Sequence, residues 1–308
     1  MPGAFANRAA ALFFSTRPAF LSVTLVGVIL GLACAYHDLN RVDLWTGLLT
    51  LLAALAVHAG VNVVNDYYDS INGTDDANTD RIFPFTGGSR FIQNGVLSPR
   101  GTAALGYGLL AAVIPAGLLL AHLSGPGLLW IGLVGLIVGW AYSAPPLELN
   151  TRGLGELSVA IGFACIVVGA DFVQRRAWDS TPFAAGLSYS LFVTNLLFIN
   201  QFPDRAADRA AGKLHWVARL RPAQARWGYV LIAAASGSVL VSGVARRCLP
   251  DMALFGLLAL LPAVYAAGEL FRYCETPQRL ANAIKATILA AVVNGVVIAG
   301  ALVVGRSG

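Results

Sequence analysis

Charge is scarce in this sequence of 308 residues. Asp, Glu, Lys and Arg make up 12% of it and hydrophobic residues 57%, whereas an ordinary soluble domain carries roughly 25% charged residues. So little charge cannot cover the apolar side chains with a polar surface, which excludes a water-soluble globular protein. Cysteine is scarce too. The four residues are scattered with no CxxC pair, so the sequence gives no sign of a zinc site or a disulfide framework.

Long apolar runs are what the sequence has in abundance. Each is close to the roughly 20 residues that a helix needs to cross a bilayer, and glycine, proline and charge separate one run from the next. The sequence therefore predicts an all-α integral membrane protein with nine transmembrane helices, in a single domain of residues 1–308. The nine runs lie near residues 18–36, 44–65, 103–122, 126–144, 155–174, 182–202, 227–245, 251–271 and 283–305.

The net charge of +5 indicates membrane topology rather than a polyanionic partner. The basic residues form no patch or tail, so nucleic acid is not an expected partner. With nine spans, 15 of the 21 Lys and Arg residues fall in the N-terminal segment and in the connections after runs 2, 4, 6 and 8. The positive-inside rule places that side in the cytoplasm. The other six are Arg41, Arg175, Arg176, Arg246, Arg247 and Arg306.

The first of two acidic clusters lies at the end of the second run, in the string NVVNDYYD. Asn62, Asp66 and Asp69 stand at positions i, i+4 and i+7, which places them on one face of a helix. A single cluster of this kind is equally well explained as a solvated helix end. A second copy on the same side of the membrane makes the solvated helix end the weaker of the two explanations.

The second cluster lies at the end of the sixth run, in NQFPDRAAD. Asn200, Asp204 and Asp208 stand at positions i, i+4 and i+8, again on one helical face and again on the predicted cytoplasmic side. The pattern of Asn, three residues, Asp and a further Asp thus occurs twice, which favours a functional site over two solvated helix ends.

Clustered carboxylates at a membrane boundary repel one another and need counter-cations. Hard oxygen ligands on two helices suit Mg²⁺, which binds a few carboxylates together with phosphate oxygens of a substrate. A diphosphate bridged by Mg²⁺ also needs cationic side chains around it, and the loops beside the clusters carry several, among them Arg81, Lys213 and Arg219. Chemistry on a diphosphate is therefore expected on the cytoplasmic side.

These motifs resemble the UbiA superfamily of membrane prenyltransferases over nearly the whole chain. Four strings are similar to the branch that prenylates 1,4-dihydroxy-2-naphthoate in menaquinone synthesis: NDYYDSINGTDDANTDR, TGGSRFIQNGVLS, YSAPPLELNTRGLGEL and NQFPDRAADRAAGK. The Arg17-Pro18 pair before the first run also fits. The resemblance implies nine helices around a central cavity, in a multi-pass protein of the cell inner membrane with its active site facing the cytoplasm.

The resemblance also implies roles for individual residues. Two Mg²⁺ ions would be held by Asn62, Asp66 and Asp69 and by Asn200, Asp204 and Asp208. Arg81, Lys213 and Arg219 would contact the diphosphate, Tyr142 and Ser143 would line the reaction centre, and Arg152 with Glu156 would organise the loop after the fourth run. The expected partners are a prenyl diphosphate, an aromatic acceptor and membrane lipid, and the expected catalytic residues are Asp66, Asp69, Asp204, Asp208 and Tyr142.

Aromatic faces can stabilise the allylic cation that such a reaction generates. The sequence places four aromatic residues near the motifs: Tyr67, Tyr68, Tyr142 and Phe198. Two segments depart from the branch, and both belong to loops expected to cover the cavity. Phe83-Pro84-Phe85 stands where a Gly-Pro pair is more usual, and His215-Trp216 follows Gly-Lys where small or aliphatic residues are commoner.

Two alternatives stay open at this point. Within prenyl transfer, the acceptor could be 4-hydroxybenzoate, homogentisate, a tetrapyrrole or a lipid alcohol. Outside it, a divalent-cation transporter would also use acids as ion sites, but it predicts acids at mid-span, in broken helices that face each other across the bilayer.

Overall fold

The computed structural model describes residues 8–305, which contain α-helices, two short 3₁₀ helices and no β-strand. Residues 1–7 and 306–308, and with them Arg306, lie outside the described part. The expected all-α class is confirmed. In chain order the helices are α1 (Arg8–Ser15), α2 (Pro18–Leu39), α3 (Leu44–Ile71), α4 (Thr74–Ala77), α5 (Pro99–Ser124), α6 (Gly127–Ser143), α7 (Gly155–Arg175), α8 (Ser180–Ala210), α9 (Trp216–Arg219), α10 (Pro222–Ala245), α11 (Leu260–Tyr273) and α12 (Ala281–Val304), with 3₁₀ helices at Asp251–Ala259 and Pro277–Arg279.

Each predicted apolar run coincides with one of the long helices. Eight helical segments in the described chain are long and apolar enough to cross a membrane, the eighth run combining the first 3₁₀ helix with α11. Helix α6 has only 17 residues, about 26 Å at 1.5 Å per residue, so the count of nine spans stays a prediction. The largest boundary error is at α8, which continues from the predicted end near residue 202 to Ala210, because its hydrogen-bond ladder extends beyond its apolar stretch.

Local signals set where the long helices begin. Asp43 accepts a hydrogen bond from the Thr46 amide (2.8 Å) and so caps α3, and Asp179 does the same for α8 through Thr181 (2.8 Å). Pro18 occupies the first turn of α2, where a missing N–H costs nothing.

Helix α8 lies at the centre of the bundle. An 18-residue stretch of it is 72% buried, against 22% for α5. Its Tyr189 and Phe192 pack with Leu30 of α2 and Ile298 of α12 in the main apolar core. A central α8 brings its C-terminal end, which carries the second acidic motif, into the middle of one end of the molecule.

Close helix contacts depend on glycine at Gly31. A Cβ there would collide with the Val167 carbonyl oxygen of α7 and lie 2.7 Å from the Ala170 Cβ. Small residues of this kind let helix backbones approach in a membrane, where apolar burial provides little drive for association.

A cavity of about 580 Å³ lies among helices α2, α3, α5, α6, α7 and α8. Its walls are mostly apolar, and its polar lining residues include Arg17, Asn62, Tyr142 and Asn200. On the flank between α5 and α6, the lining residues Ile114, Leu118, Leu129 and Leu133 are also exposed, so the cavity opens sideways there. The central cavity expected from the resemblance is therefore present.

The glycine contact generates a first prediction. Gly31→Ala is expected to lower the free energy of unfolding by about 2 kcal/mol, since the new methyl group overpacks the interface between α2 and α7. Thermal unfolding in detergent measures the effect. Gly300→Ala is the matched control, because a Cβ at Gly300 of α12 meets no atom within 4 Å. Equal melting temperatures for the two variants would contradict the prediction.

Candidate active site

The first acidic motif is held by the segment before α2 and by the loop after α4. Arg17 pairs with Asp66 Oδ1, and the Ser89 amide donates to Asp66 Oδ2 at 3.1 Å. Arg17 itself has the left-handed φ of 55° directly before Pro18, a conformation that costs an L-residue about 1 kcal/mol. The ion pair with the buried Asp66 holds the guanidinium at the polar end of the cavity.

The second motif is held by the same loop. Asp204 Oδ1 accepts from Asn78 Nδ2 at 2.6 Å, and Asp204 Oδ2 accepts from the Gly87 amide at 3.3 Å. Gly87 and Ser89 therefore bind one motif each through backbone N–H groups that are two residues apart. The string TGGS thus links the ends of α3 and α8.

Lys213 joins the two motifs directly. Its ammonium group lies 2.6 Å from Asp69 Oδ1 and 3.5 Å from Asp208 Oδ1, and its side chain is only 8% exposed. Burial disfavours the ammonium form, but the charges of Asp69 and Asp208 outweigh burial and raise the pKa of Lys213 above its usual range. The two carboxylate-bearing helix ends meet over one shared cation.

The turn at Gly88 presses against a further acid, Asp75. Gly88 has a φ of 66°, and a Cβ there would lie 2.5 Å from Asp75 Oδ2. Asp75 is 2% exposed, and burial together with the charges of Asp69 and Asp66 raises its pKa to about 8. The raised pKa favours the protonated form of Asp75, whereas a cation that joined the cluster would favour the carboxylate.

The asparagines of the motifs hold the segments that cover the cavity. Asn62 Nδ2 donates to the Thr16 carbonyl at 3.0 Å, and Asn200 Nδ2 lies 3.4 Å from the Phe85 carbonyl. Asn65, between the motif positions, donates to Asp69 Oδ2 (3.2 Å) and to the Ser143 hydroxyl (3.1 Å). Ser143 thus lies against the first motif, and the neighbouring Tyr142 lines the cavity; that they line a reaction centre stays a prediction.

Arg81, like Arg17, has unused donor capacity. Its buried Nη1 has no hydrogen-bond acceptor among the described residues, and its guanidinium lies 5.7 Å from the centre of the Phe83 ring. Burial and the nearby charge of Arg90 lower the pKa of Arg81, which the carboxylates of Asp75 and Asp204 counteract. An anion at this position would satisfy the free N–H groups.

Arg152 and Arg219 both bind backbone carbonyls of loops. Arg219 donates to the Arg152 carbonyl at 3.0 Å, Arg152 donates to the Pro146 carbonyl at 2.7 Å, and both residues are exposed. The loop-organising role of Arg152 and the diphosphate contact of Arg219 both stay predictions. Glu156 accepts from Gln201 at 2.9 Å and so connects α7 to α8.

The aromatic residues that face the cavity are mostly not the ones named from the sequence. Of those four, Tyr142 lines the cavity. The Tyr68 hydroxyl hydrogen-bonds to that of Tyr107 at 2.8 Å. A Cβ at Gly228 of α10 would lie 3.0 Å from Phe198 Cε2, so the buried Phe198 packs against α10 and is not among the residues that line the cavity. The aromatic rings on the cavity wall are Phe20, Phe85, Tyr142 and Phe163.

Carboxylates make up only part of the oxygen ligands that this end of the bundle offers to Mg²⁺. No three His, Cys, Asp or Glu side chains in the described ranges form a ready cluster of metal ligands. Arg17, Lys213 and Asn78 contact the motif carboxylates instead. Buried amide and carboxyl oxygens without a donor remain nearby, at Asn200 Oδ1 and Asp75 Oδ2. Mg²⁺ suits such a site, since it keeps waters and takes phosphate oxygens of a substrate beside a few protein ligands.

Sequence reasoning missed two groups that bind motif carboxylates. Asn78 and His215 contact Asp204 and Asp208 across loop turns. In the sequence His215 stands out only as a departure from the usual pattern. Arg17 stands out only as half of an Arg-Pro pair, because its partner Asp66 lies 49 positions away and the sequence does not reveal it.

Comparison with known sequences gives one family. The sequence model of the UbiA prenyltransferase family matches residues 20–286. The chain is 31% identical to the 1,4-dihydroxy-2-naphthoate octaprenyltransferase of Mycobacterium tuberculosis over 94% of this chain and 96% of that protein. It is 26% identical to the protein of the same name in Bacillus subtilis, over 88% and 85%.

Solved structures share the fold. A UbiA homolog from Aeropyrum pernix K1 superposes with a TM-score of 0.67 at 19% identity, over 90% of this chain and 97% of that one. A UbiA homolog from Archaeoglobus fulgidus bound to DMAPP and Mg²⁺ gives 0.61 at 13% identity, over 95% and 99%.

The turn at Gly88 generates a second prediction. Gly88→Ala is expected to lower the free energy of unfolding by about 2 kcal/mol more than Gly95→Ala does. Both glycines have positive φ, so both variants carry the backbone strain, but only the methyl group at position 88 meets a buried side chain. Thermal melts of the two proteins test this, and equal losses would show that Asp75 yields freely.

Proposed function

Because the chain belongs to the UbiA prenyltransferase family, we propose that it transfers a prenyl chain from a prenyl diphosphate to 1,4-dihydroxy-2-naphthoate, with Mg²⁺, in menaquinone biosynthesis. Membership of the family establishes prenyl transfer by a multi-pass membrane protein. The acceptor, the metal and the roles of the residues are proposed. One observation carries the proposal: two acidic motifs, joined by Lys213, lie at the polar end of an apolar cavity. An amphiphile with an anionic head and an apolar chain needs that arrangement.

The proposed metal ligands are the residues of the two motifs. They are Asn62, Asp66, Asp69, Asn200, Asp204 and Asp208. Bound Mg²⁺ would neutralise the charge that develops on the diphosphate as the allylic C–O bond breaks. The buried oxygens without donors at Asn200 and Asp75 support a cation at this end of the bundle.

The cations of the protein are proposed to serve the diphosphate in turn. Lys213 and Arg17 neutralise the carboxylates before substrate binds. When an anionic head enters, each can exchange a carboxylate oxygen for a phosphate oxygen without leaving the site. Arg81 donates its free N–H groups to the same head, so preplaced positive charge stabilises the leaving group.

The cavity is proposed to protect the allylic cation and to accommodate the chain. Its walls exclude water, and the faces of Phe85 and Tyr142 are available to a cation at the polar end. A polyprenyl chain longer than the cavity leaves through the opening between α5 and α6, which allows long chains. An electron-rich acceptor ring then attacks the cation, and loss of its carboxylate accompanies prenylation.

The proposed acceptor and the proposed orientation of the protein in the membrane are supported by different observations. The relatives named 1,4-dihydroxy-2-naphthoate octaprenyltransferase favour that acceptor over the alternatives. The excess of Lys and Arg on the side of the acidic motifs favours an active site facing the cytoplasm from the cell inner membrane. The transporter alternative required acids at mid-span, whereas all four aspartates contact loops at one end of the bundle.

Two substitutions test the metal assignment. Asp66→Asn and Asp204→Asn, in separate proteins, are expected to lower the rate of prenyl transfer by about 100-fold, because each removes a charge that the metal–diphosphate centre requires. Transfer of a labelled prenyl group in membranes at saturating Mg²⁺ measures it. Asp76→Asn is the control, an exposed acid in the adjacent segment. Full transfer by both variants would overturn the assignment.

The identity of the acceptor is tested by comparing acceptors one at a time. Membranes containing the protein are incubated with labelled prenyl diphosphate and, in turn, 1,4-dihydroxy-2-naphthoate, 4-hydroxybenzoate and homogentisate. We expect kcat/KM with the naphthoate to be at least about 100-fold above that with the other acceptors, since a site built for the groups of one ring leaves buried polar atoms unpaired with another. Preferred transfer to a different ring would replace the acceptor and leave the family unchanged.

A further inference from the structure

His215 lies under the second acidic motif, in the loop between α8 and α9. It is 3% exposed, and both ring nitrogens have fixed partners. Nδ1 accepts from the Ala218 amide at 3.2 Å, so the ring proton lies on Nε2, which donates to Asp208 Oδ2 at 3.0 Å. The ring therefore connects the start of α9 to one oxygen of a motif carboxylate.

The contact decides which oxygen of Asp208 faces the site. Oδ2 is taken by His215, and Oδ1 lies 3.5 Å from the Lys213 ammonium that also holds Asp69. A carboxylate can rotate about its last torsion, and an N–H group on one oxygen fixes that rotation. Only Oδ1 is then turned toward the centre between α3 and α8.

On the basis of the proposed function, we infer that His215 is a positioning residue that orients Asp208 so that Oδ1 alone meets the metal–diphosphate centre. Hydrogen bonds behind a ligand of this kind set its direction and basicity, and their loss typically weakens metal affinity by 10–100-fold.

His215 also has a structural task, which the test must separate. As the residue before α9 it caps that helix, whose Val217 is fully buried. Removing the ring would lose the cap and the Asp208 contact together, so an alanine variant cannot distinguish the two roles.

Two conservative variants divide them. His215→Asn keeps an acceptor close to the position of Nδ1, and asparagine is a preferred N-cap, but its side chain is too short to donate to Asp208. His215→Gln places an amide N–H near the position of Nε2 and gives up the cap. Val217→Ala loses packing in the same turn without touching a polar group, and it serves as the structural control.

The decisive measurement is Mn²⁺ binding in the presence of inorganic diphosphate, followed by electron paramagnetic resonance of the free ion in detergent. Mn²⁺ takes the same oxygen ligands as Mg²⁺. We expect His215→Asn to raise the dissociation constant about tenfold with little change in melting temperature. His215→Gln should stay within about threefold of the unaltered protein but melt roughly 2 °C lower, and Val217→Ala should melt lower with unchanged Mn²⁺ binding.

Several outcomes overturn the inference. Equal Mn²⁺ affinity in the Asn and Gln variants would reduce His215 to a helix cap, and so would a loss confined to the Gln variant. If the Asn protein does not fold, the Gln variant decides alone, and a tenfold loss in it counts against positioning. Unaltered protein that binds Mn²⁺ with diphosphate but transfers no prenyl group would refute the proposed function while leaving the comparison of the two variants valid. Absence of Mn²⁺ binding by the unaltered protein would overturn both.

Discussion

One ammonium group, that of Lys213, holds together two helix ends that would otherwise repel each other. Helices α3 and α8 each bring a pair of aspartates to the same end of the bundle, at the edge of an apolar interior where carboxylates are costly to leave without partners. Lys213 lies between Asp69 and Asp208, and Arg17 neutralises Asp66 beside them. Because these cations come from segments outside the long helices, the acidic centre depends on the loops as much as on the bundle.

The loop that carries Gly87 and Ser89 adds a second connection with no charge of its own. Its backbone N–H groups reach Asp204 and Asp66, one to each motif. A backbone donor cannot change its protonation state or swing away as a side chain can, so this connection fixes spacing while the cations remain free to exchange partners. The backbone contacts thus fix the distance between the two motifs, and the cations neutralise their charge.

Much of this could be predicted from the sequence because it follows from periodicity. Helical spacing put Asp66 and Asp69 on one face, and the alternation of spans put both motifs at one end. The same geometry explains why Phe198, although close to the second motif in sequence, does not line the cavity. Phe198 is two residues before Asn200, which is about 200° around a helix, so it faces α10 when Asn200 faces the cavity. Nearness in sequence to a motif was a poor guide to nearness in space.

The partners of the carboxylates could not be predicted in the same way. Asn78 and Asp204 are 126 positions apart, and their contact depends on the course of a loop that turns through left-handed glycines. Hydropathy carries no information about such a course. His215 illustrates the remaining signal: the residue departs from the usual pattern in a loop, and the structure places it against Asp208.

If the prenyl chain passes through the sideways opening between α5 and α6, as proposed, the bilayer becomes a compartment of the reaction. A molecule whose chain extends past Leu118 and Leu133 stays partly dissolved in lipid from arrival to departure. Its effective concentration is then counted per lipid molecule rather than per volume of water, and its supply depends on lateral diffusion in the leaflet. Dilution of the surrounding aqueous phase would leave that supply unchanged, whereas added lipid would lower it.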